Sequence, residues 1–499
     1  MIVQRPIYHH ARVVLEAITP HGVHSGRGDA THDVLLVRDA NGLPFIPGTS
    51  LAGVLRHLYA EAHGEPEAKR VFGHAEGSEG QPSWLNITAG LIHDSRDCAE
   101  EGLRDPHQDD PLLAFLREDK PLVRQRVRLG ARGTAEDTGK FDVTLVPAGA
   151  RYTAFMGFWA TDAEDDRAVF ERLLALFHSP AFRLGHGTRS GSGAFRIQAL
   201  DTARWDLRTT QGQQGYCERT RKRSSRQGLT PYQLGDRVMP GGVTTVTAML
   251  PLQAEGGLRV GGGEVSLTGP DDEGRQPDLL PQSEPRIVWQ QQQKNSGKTK
   301  GKRGQKAQER DTVTGRLSEP VPVLPGSAVK GAIAHRLAFH CRRLSGALLD
   351  PAGMAPPDDQ THPLVTDLLG WAGEGEANPG QAGCLLVDDI YLEQPTLCRQ
   401  THNRIDRYTG GVMQGALFEQ ELLWRPAWTL SLTLLRTDTL RNPVLRAALQ
   451  AALQDLAEGM LPLGADGSRG QGSLLGTGTL AWSDEGAWME QDVPEEAGA

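Results

Sequence analysis

Two stretches of this chain repeat one another at a nearly constant distance. LPFIPG (43–48) and VPVLPG (321–326) each open a helical segment rich in small residues, and LGHGTRSGSG (184–193) is echoed by LGADGSRGQG (463–472). Pro47 and Pro325 lie 278 residues apart, Val127 and Ile405 also 278, and Leu184 and Leu463 279. Separate landmarks at one offset define a duplicated unit, so the chain must fold as two tandem copies, with any site present twice. Such a layout suits a lattice or filament subunit.

The 499 residues suffice for two or three domains, each burying its own core. No run reaches the ~18 apolar residues of a membrane span, and MIVQRPIYHHARVVLEAI lacks the basic-then-apolar order of a secretory signal. The five cysteines (Cys98, Cys217, Cys341, Cys384, Cys398) show no CxxC and no short-spaced Cys/His set. That pattern disfavours a disulfide framework or a structural zinc site and fits a reduced, cytoplasmic protein. A net charge of −9 argues against an indiscriminate nucleic-acid binder. The charge is uneven, however. Arg124, Arg126, Arg128 and Arg132 cluster without an acid, and Arg219, Arg221, Lys222, Arg223 and Arg226 stand against Glu218. Residues 294–310 hold seven Lys/Arg and one Glu. Local patches of this kind, not the total, decide whether a phosphate backbone is held.

Each copy reads strand, helix, strands, helix, strand, an α+β order of β-α-β-β-α-β type that resembles a ferredoxin-like fold. In the first copy (1–203), ARVVLEAITP alternates as a strand does. Thr49 or Ser50 can cap the helix begun by LAGVLRHLYAEA. The second copy (241–485) repeats this with TVTAMLPLQA and LPGSAVKGAIAHRLAFHCRRL. Val23 matches Val260 at an offset of 237, so about 41 residues are inserted between 264 and 310. Their basic, low-complexity run QQQQKNSGKTKGKRGQKAQ is expected to stay disordered unless bound. Residues 204–240 read as a linker and 486–499 as a loose acidic tail.

Three motifs carry chemistry. The loops around Gly187, Arg189 and Gly191, and around Gly467 and Arg469, offer backbone N–H groups with no Cβ in the way, beside a guanidinium. The PGTS and PGSA steps place Gly48, Thr49 and Ser50, and Ser327, at helix N-termini, which attract anions; ordinary capping is the plainer reading. Residues about 122–150 and about 398–425 are polar, Gly-containing excursions between strands, which is how protruding hairpins read. Val127, Ile405 and Phe418 are apolar groups they can present.

Taken together, VRDANGLPFIPGTSLAGVLR, IDRYTGGVMQGALF and GHGTRSGSG resemble the RAMP superfamily, and more narrowly the backbone subunits of type III CRISPR effector complexes. A two-copy chain with an insertion looks most like the fused subunits of type III-D-like systems. The resemblance implies two ferredoxin-like (RRM-like) domains, each with a thumb hairpin that kinks out a target nucleotide from the guide–target duplex. It implies guide CRISPR RNA, single-stranded target RNA and other effector subunits as partners: backbone subunits, a large polymerase-like subunit and a small helical one. No membrane is involved. It also implies target cleavage supported by an Asp and a divalent metal, Mg2+, and matches Asp33 to that position. Asp33 lies 14 residues before Pro47 and Asp311 lies 14 before Pro325, so the repeat supplies a second acid; Asp29 and Asp39 compete with Asp33 in the first copy, but Asp39 meets Leu317 in the second and Asp29 falls opposite the insertion. Both are candidate catalytic residues and candidate metal ligands. Attack by a 2′-OH needs in-line geometry, which a splayed nucleotide reaches and an A-form duplex does not. Expected RNA contacts are Arg38, Arg124, Arg126, Arg128, Arg189, Arg316, Lys330, Arg404, Arg407 and Arg469, with the glycines and hydroxyls named above. Departures from the family pattern are Ala52 where the second copy has Lys330, and VRLGARGTAED where it has IDRYTGG. Two alternatives stand beside the nuclease. One is a scaffold with inert aspartates. The other is a guide-processing ribonuclease using His9, His10, His21, His24 or His32, a cluster the second copy lacks.

Overall fold

The computed structural model describes residues 4–26, 34–75, 80–105, 110–129, 135–233, 245–292, 312–346, 362–375, 378–435 and 437–483. Asp33 and Asp311, the tail 486–499 and the basic run 293–311 fall outside them.

The fold is mixed α+β, and each copy builds a sheet of the same strand order. In the first copy, β1 (Ile7–Ala17) is central, with helix α1 (Gly48–His63) following it and β2 (Leu85–Ile87) at the sheet edge. A short helix α2 (Pro111–Arg117) precedes a two-stranded hairpin, β3 (Leu122–Leu129) and β4 (Ala135–Leu145). Strand β5 (Arg151–Ala160), helix α3 (Glu164–Leu176), the two-residue β6 (Ser190–Gly191) and β7 (Phe195–Asp206) complete the copy. The sheet runs β2–β5–β1–β7, every neighbour antiparallel. The alternation in β1 explains the layering. Ile7, Ala11, Val13 and Leu15 join the core under Leu51, Leu55, Leu173 and Leu174 of the helices. Tyr8, His10 and Arg12 point to the other face.

That outer face is covered, which is why β1 is buried along its whole length. The segment expected to be a linker connects the copies, but its described part is ordered. Helix α4 (Thr210–Glu218) and β8 (Thr230–Pro231) fold back on β7. Tyr216 meets Tyr8 edge-on, with ring centroids 5.2 Å apart, and Arg219 stacks on Tyr216 at 3.9 Å. Arg226 pairs with buried Asp201 at 3.1 Å.

In the second copy, β9 (Val246–Ala254) is central. A ribbon of β10 (Ile287–Gln292), within the insertion, and β11 (Thr312–Leu317), just after it, precedes helix α5 (Gly326–Leu344). Then come β12 (Leu385–Asp388), the hairpin β13 (Thr396–His402) and β14 (Phe418–Trp424), β15 (Ala427–Leu434), α6 (Pro443–Ala457) and β16 (Leu474–Gly476). The sheet order is β16–β9–β15–β12, the counterpart of β7–β1–β5–β2. No described helix is long and apolar enough to cross a membrane.

The ribbon of the second copy lies on the first. Ile287 belongs to the first copy's core, with Trp289 and Leu317 packed against it. Ile287 N–H donates to Ala148 O (2.8 Å), Trp289 Nε1 to Gly149 O (2.8 Å) and Gly315 N–H to Ser95 O (2.7 Å). Gly149 is required here: its φ is +86°, and a Cβ would sit 1.9 Å from Ile287 O. Gly149→Ala is therefore expected to cost about 1–3 kcal/mol, as overpacking does. Hydrogen exchange at Ile287 N–H and Trp289 Nε1–H reads the loosened ribbon directly.

Candidate nucleic-acid interface

Each copy closes its Gly-rich loop and fastens it to the segment after its central strand by the same contacts, and each loop also meets its hairpin. In the first, Leu184 N–H donates to Gly193 O and His186 N–H to Gly22 O, both at 2.9 Å. Arg126 of β3 lies on Gly187, where a Cβ would be 3.3 Å from its guanidinium. The rings of His24 and His186 stand 5.7 Å apart beside it. In the second, Leu463 N–H donates to Gly472 O and Ala465 N–H to Arg259 O. Asp466 ties Arg259 (2.8 Å) to Arg469 (3.1 Å), and Arg469 lies 5.9 Å from the Phe418 ring. Glycine, a guanidinium and backbone N–H groups beside a hairpin can hold a sugar–phosphate chain.

Residues 403–417, joining β13 to β14, present an apolar and basic end. Asp406 accepts hydrogen bonds from the N–H groups of Tyr408 (2.9 Å) and Thr409 (2.8 Å) and fixes the turn. Those bonds hold its carboxyl below the usual range. Tyr408 is 99% exposed, and Ile405, Val412 and Leu417 are more than half exposed, beside exposed Arg404 and Arg407. Several bare apolar groups on one turn suit a contact surface. On the first hairpin Val127 is half-exposed, and the side chain of Arg128 lies outside the described residues.

Several residues expected at RNA form instead the joint between the copies. Strand β6, inside the first Gly-rich loop, pairs parallel with β12 and extends the second sheet. Arg124 is 3% exposed; its Nε donates to Glu284 (3.0 Å) and its Nη1 to Asp389 (2.5 Å). Asp389 Oδ1 accepts from Gly326 N–H at 2.8 Å, so the N-terminus of α5 already holds an internal carboxylate. Burial pushes Asp389 up to about 6. Burial alone would lower Arg124, but Asp389 and Glu284 outweigh it and raise it. Arg183 pairs with Asp388, and Arg189 Nε donates to Gly383 O (3.1 Å). Lys330 Nζ donates to Arg189 O (3.2 Å) and Leu385 O (3.0 Å), and burial lowers it to about 8. Arg124, Arg189 and Lys330 thus face protein.

The other expected residues are scattered. Arg38 spends its guanidinium on the carbonyls of Gly42 and Leu116, bracing α2. Arg316 is exposed on the ribbon. Gly48 and Ser50 are half-buried and Thr49 exposed at an α1 N-terminus with no side-chain cap; Ser327 is half-buried in the first turn of α5. Gly191 is enclosed, since a Cβ there would meet Asp389 Oδ1. The histidines do not converge. Burial lowers His9 and His10 to about 4 and His21 to about 3, and His9 packs on Phe170 while His10, on the opposite face, packs on Phe155. His32 lies outside the described residues. Among the described residues no group of three or more His, Cys, Asp or Glu could hold a metal.

The duplication, the shared sheet order and the paired loops have a counterpart among known families. The model of the RAMP superfamily matches residues 14–196 and 252–474, one stretch in each copy. The chain belongs to the RAMP superfamily. Both RAMP modules keep their Gly-rich loop within or beside the matched stretch. A chain of the type III-B Cmr-beta complex bound to cognate target RNA is 15% identical, over 40% of this chain and 61% of that one, with a TM-score of 0.28. The RAMP pair thus spans less than two thirds of that chain. A chain of a type IV-B CRISPR complex is 18% identical, over 39% of this chain and 90% of that one, with a TM-score of 0.26. No curated protein matches.

Proposed function

We propose that this RAMP pair is a backbone subunit of a type III CRISPR ribonucleoprotein that binds guide RNA and cuts complementary target RNA at two sites. The supporting observation is the duplication of one apparatus: in each module a hairpin rises beside a Gly-rich loop, and Asp33 and Asp311 precede their proline turns by the same 14 residues. The strand order of both sheets fits ferredoxin-like modules, and the hairpins fit thumbs that part a duplex. The tip around Tyr408 supplies what a wedge needs, an aromatic ring and aliphatic groups on a turn held by Asp406.

A guide would lie against the Gly-rich loops and the guanidinium groups of Arg126 and Arg469. The target strand, splayed at each hairpin, could then align a 2′-OH with its own phosphate. Asp33 and Asp311 would each hold the divalent metal, which neutralises charge developing on the scissile phosphate. Mg2+ is commonly held by one or two carboxylates plus substrate phosphates, which Asp33 (with Asp29 near it in sequence) and Asp311 would suit. Arg126 and Arg469 would orient the backbone; the 2′-OH would lose its proton to water as its oxygen bonds to phosphorus, the P–O5′ bond would break to leave a 2′,3′-cyclic phosphate, and the departing 5′ oxygen would take a proton from water.

The deciding experiment reconstitutes the complex with a defined guide and maps breaks on a matched RNA. Two metal-dependent cuts at a fixed separation are expected; stable binding without cutting would leave the scaffold role. Tyr408→Ala should leave the melting temperature unchanged, because the ring touches little protein. It should weaken target binding by about 1–3 kcal/mol, the range of base–aromatic stacking, in a filter-binding titration.

A further inference from the structure

The two sheets differ in what lies over their outer faces. Val23 and Val260 set the offset along the central strands at 237, so Arg12, Val14 and Glu16 of β1 correspond to Met249, Pro251 and Gln253 of β9. Val13 pairs with Ala154 as Leu250 pairs with Leu430, which aligns Arg151, Thr153 and Phe155 of β5 with Ala427, Thr429 and Ser431 of β15. In the first module this face is closed by the segment that follows its last strand. Arg12 is 5% exposed and its Nε donates to Arg223 O (2.5 Å), while the Arg223 guanidinium lies 5.8 Å from the Phe155 ring. In the second module the same positions are bare. Met249 is 50% exposed, and its cross-strand partner Ser431 is exposed with Thr429 and Ala427. Leu475 of β16, opposite Gln253, is 44% exposed.

Composition says what the open face can receive. Arg12, Glu16 and Arg151 give way to methionine, glutamine and alanine, and none of the aligned positions in the second module is charged. Single apolar groups on a surface need no explanation, but a contiguous apolar run without charge suits a face that is covered. With no cation, the face has nothing to hold a phosphate chain. The chain itself delivers a cover to this place. Residues 481–482 pair with Met249 and Ala248 on the β16 side of β9. Ser483 N–H then donates to Thr247 O (2.9 Å), and Ser483 Oγ accepts from Thr247 N–H (3.1 Å). Residues 484–499 follow, outside the described part. They hold six acids, no cation and one pair of large apolar neighbours, Trp488 and Met489. Five extended residues reach about 17 Å, and adjacent strands stand about 5 Å apart. Trp488 can therefore lie over Met249 and Ser431 with chain to spare.

We propose that residues 484–499 cover the outer face of the second sheet, with Trp488 and Met489 seated on Met249 and its neighbours. The segment holds the place in its module that residues 207–232 hold in the first, directly after the last strand. An uncharged face receives an acidic segment without like-charge repulsion, and the six acids stay toward water. The equivalent face of the first module, with Glu16 and buried Arg12 on it, would not serve both purposes. Tethered five residues from Ser483, Trp488 is present at an effective concentration in the millimolar range, so a contact too weak to hold a separate peptide suffices. Closing the face with the chain's own residues also withdraws it from other proteins, which a bare apolar patch would recruit. The proposal rests on the sheet and the segment alone and stands whether or not the chain cuts RNA.

Methionine oxidation by dilute peroxide in the full chain, read by peptide mass spectrometry, reports both sides of the contact. Met460, 63% exposed after α6 and held to α5 through Arg336, is the internal reference. Met249 and Met489 are expected to oxidise at least about fivefold more slowly than Met460, because susceptibility follows exposure. Trp488→Ser should bring both to within about twofold of it. Ser431→Asp, which sets an acid against the acidic segment, should do the same, whereas Ser431→Lys should keep both slow. Equal rates for Met249 and Met460 in the wild type would overturn the proposal. So would slow oxidation of Met249 that Trp488→Ser leaves unchanged, which would mean a different cover. Protection that fades on dilution would overturn it too, in favour of a second copy of the chain. If a Ser431 variant misfolds, Trp488→Ser, which alters no described residue, still decides.

Discussion

Arg124→Met is expected to destabilise the native chain by about 3–5 kcal/mol, the cost of stranding a buried charge. The side chain is 3% exposed and answers two carboxylates, Glu284 and Asp389, from the other module. Methionine fills similar volume and leaves both acids without a counter-charge. The deficit should depend on pH in a stated direction. Burial holds Asp389 at about 6 in the native state, above the ordinary 3.8. Its penalty is therefore full above about pH 6 and relieved as pH falls toward 3.8, where the unfolded group also takes its proton. Without Arg124 the carboxyl gains a proton still more readily, so the gap between variant and wild type should shrink on acidification. Urea midpoints at neutral pH and near pH 5 check this, with hydrogen exchange at Gly326 N–H reporting the joint itself. Adding Glu284→Gln and Asp389→Asn should recover most of the loss, since the amide can still accept from Gly326 N–H. A variant as stable as wild type at neutral pH would show that the joint does not depend on this cluster.

Under the proposed function, Asp33→Ala and Asp311→Ala should each remove one cut and spare the other. The expected fall in rate at the affected site is about 10²–10⁴-fold, the usual size of a general acid–base contribution. RNA affinity should stay within a factor of about two, because phosphate contacts across both modules supply most of it. Denaturing gels of end-labelled target, resolved by cut position, separate the two sites. Loss of both products from one substitution would mean that the modules do not act independently. Unchanged products from both variants would remove the aspartates from the reaction and leave binding as the chain's contribution.

The duplication, the order of elements and the hairpins were legible because their signals are local: a proline turn before a helix, alternation in a strand, glycine where the chain doubles back. The joint was not. Arg124, Arg189 and Lys330 read as RNA contacts because their neighbours in sequence are glycines and other cations. Their partners, Glu284, Gly383 and Leu385, lie far along the chain or inside an unremarkable strand, and no spacing rule links them. Asp388 and Asp389 could have been noticed as two acids ending an apolar strand, a place where buried charge demands a partner. Residues 204–233 read as a linker by composition, and the covering of the first sheet was not legible in them: Tyr216 and Arg219 lie on the aromatic outer face of β1. Tyr408 stood in plain view within IDRYTGG, and only its exposure singles it out. Asp33 and Asp311 rest on sequence alone, outside the described residues.

The ribbon that completes the first module comes from residues 287–317, well after that module's own last strand at Asp206. During synthesis at ~5–20 residues per second, the first sheet must wait on the order of ten seconds for Ile287 and Trp289 to leave the ribosome. Until then an apolar patch around Gly149 lies bare to chaperones and to neighbouring nascent chains. A gene broken at the connecting segment would leave that patch open on one product and an orphan ribbon on the other.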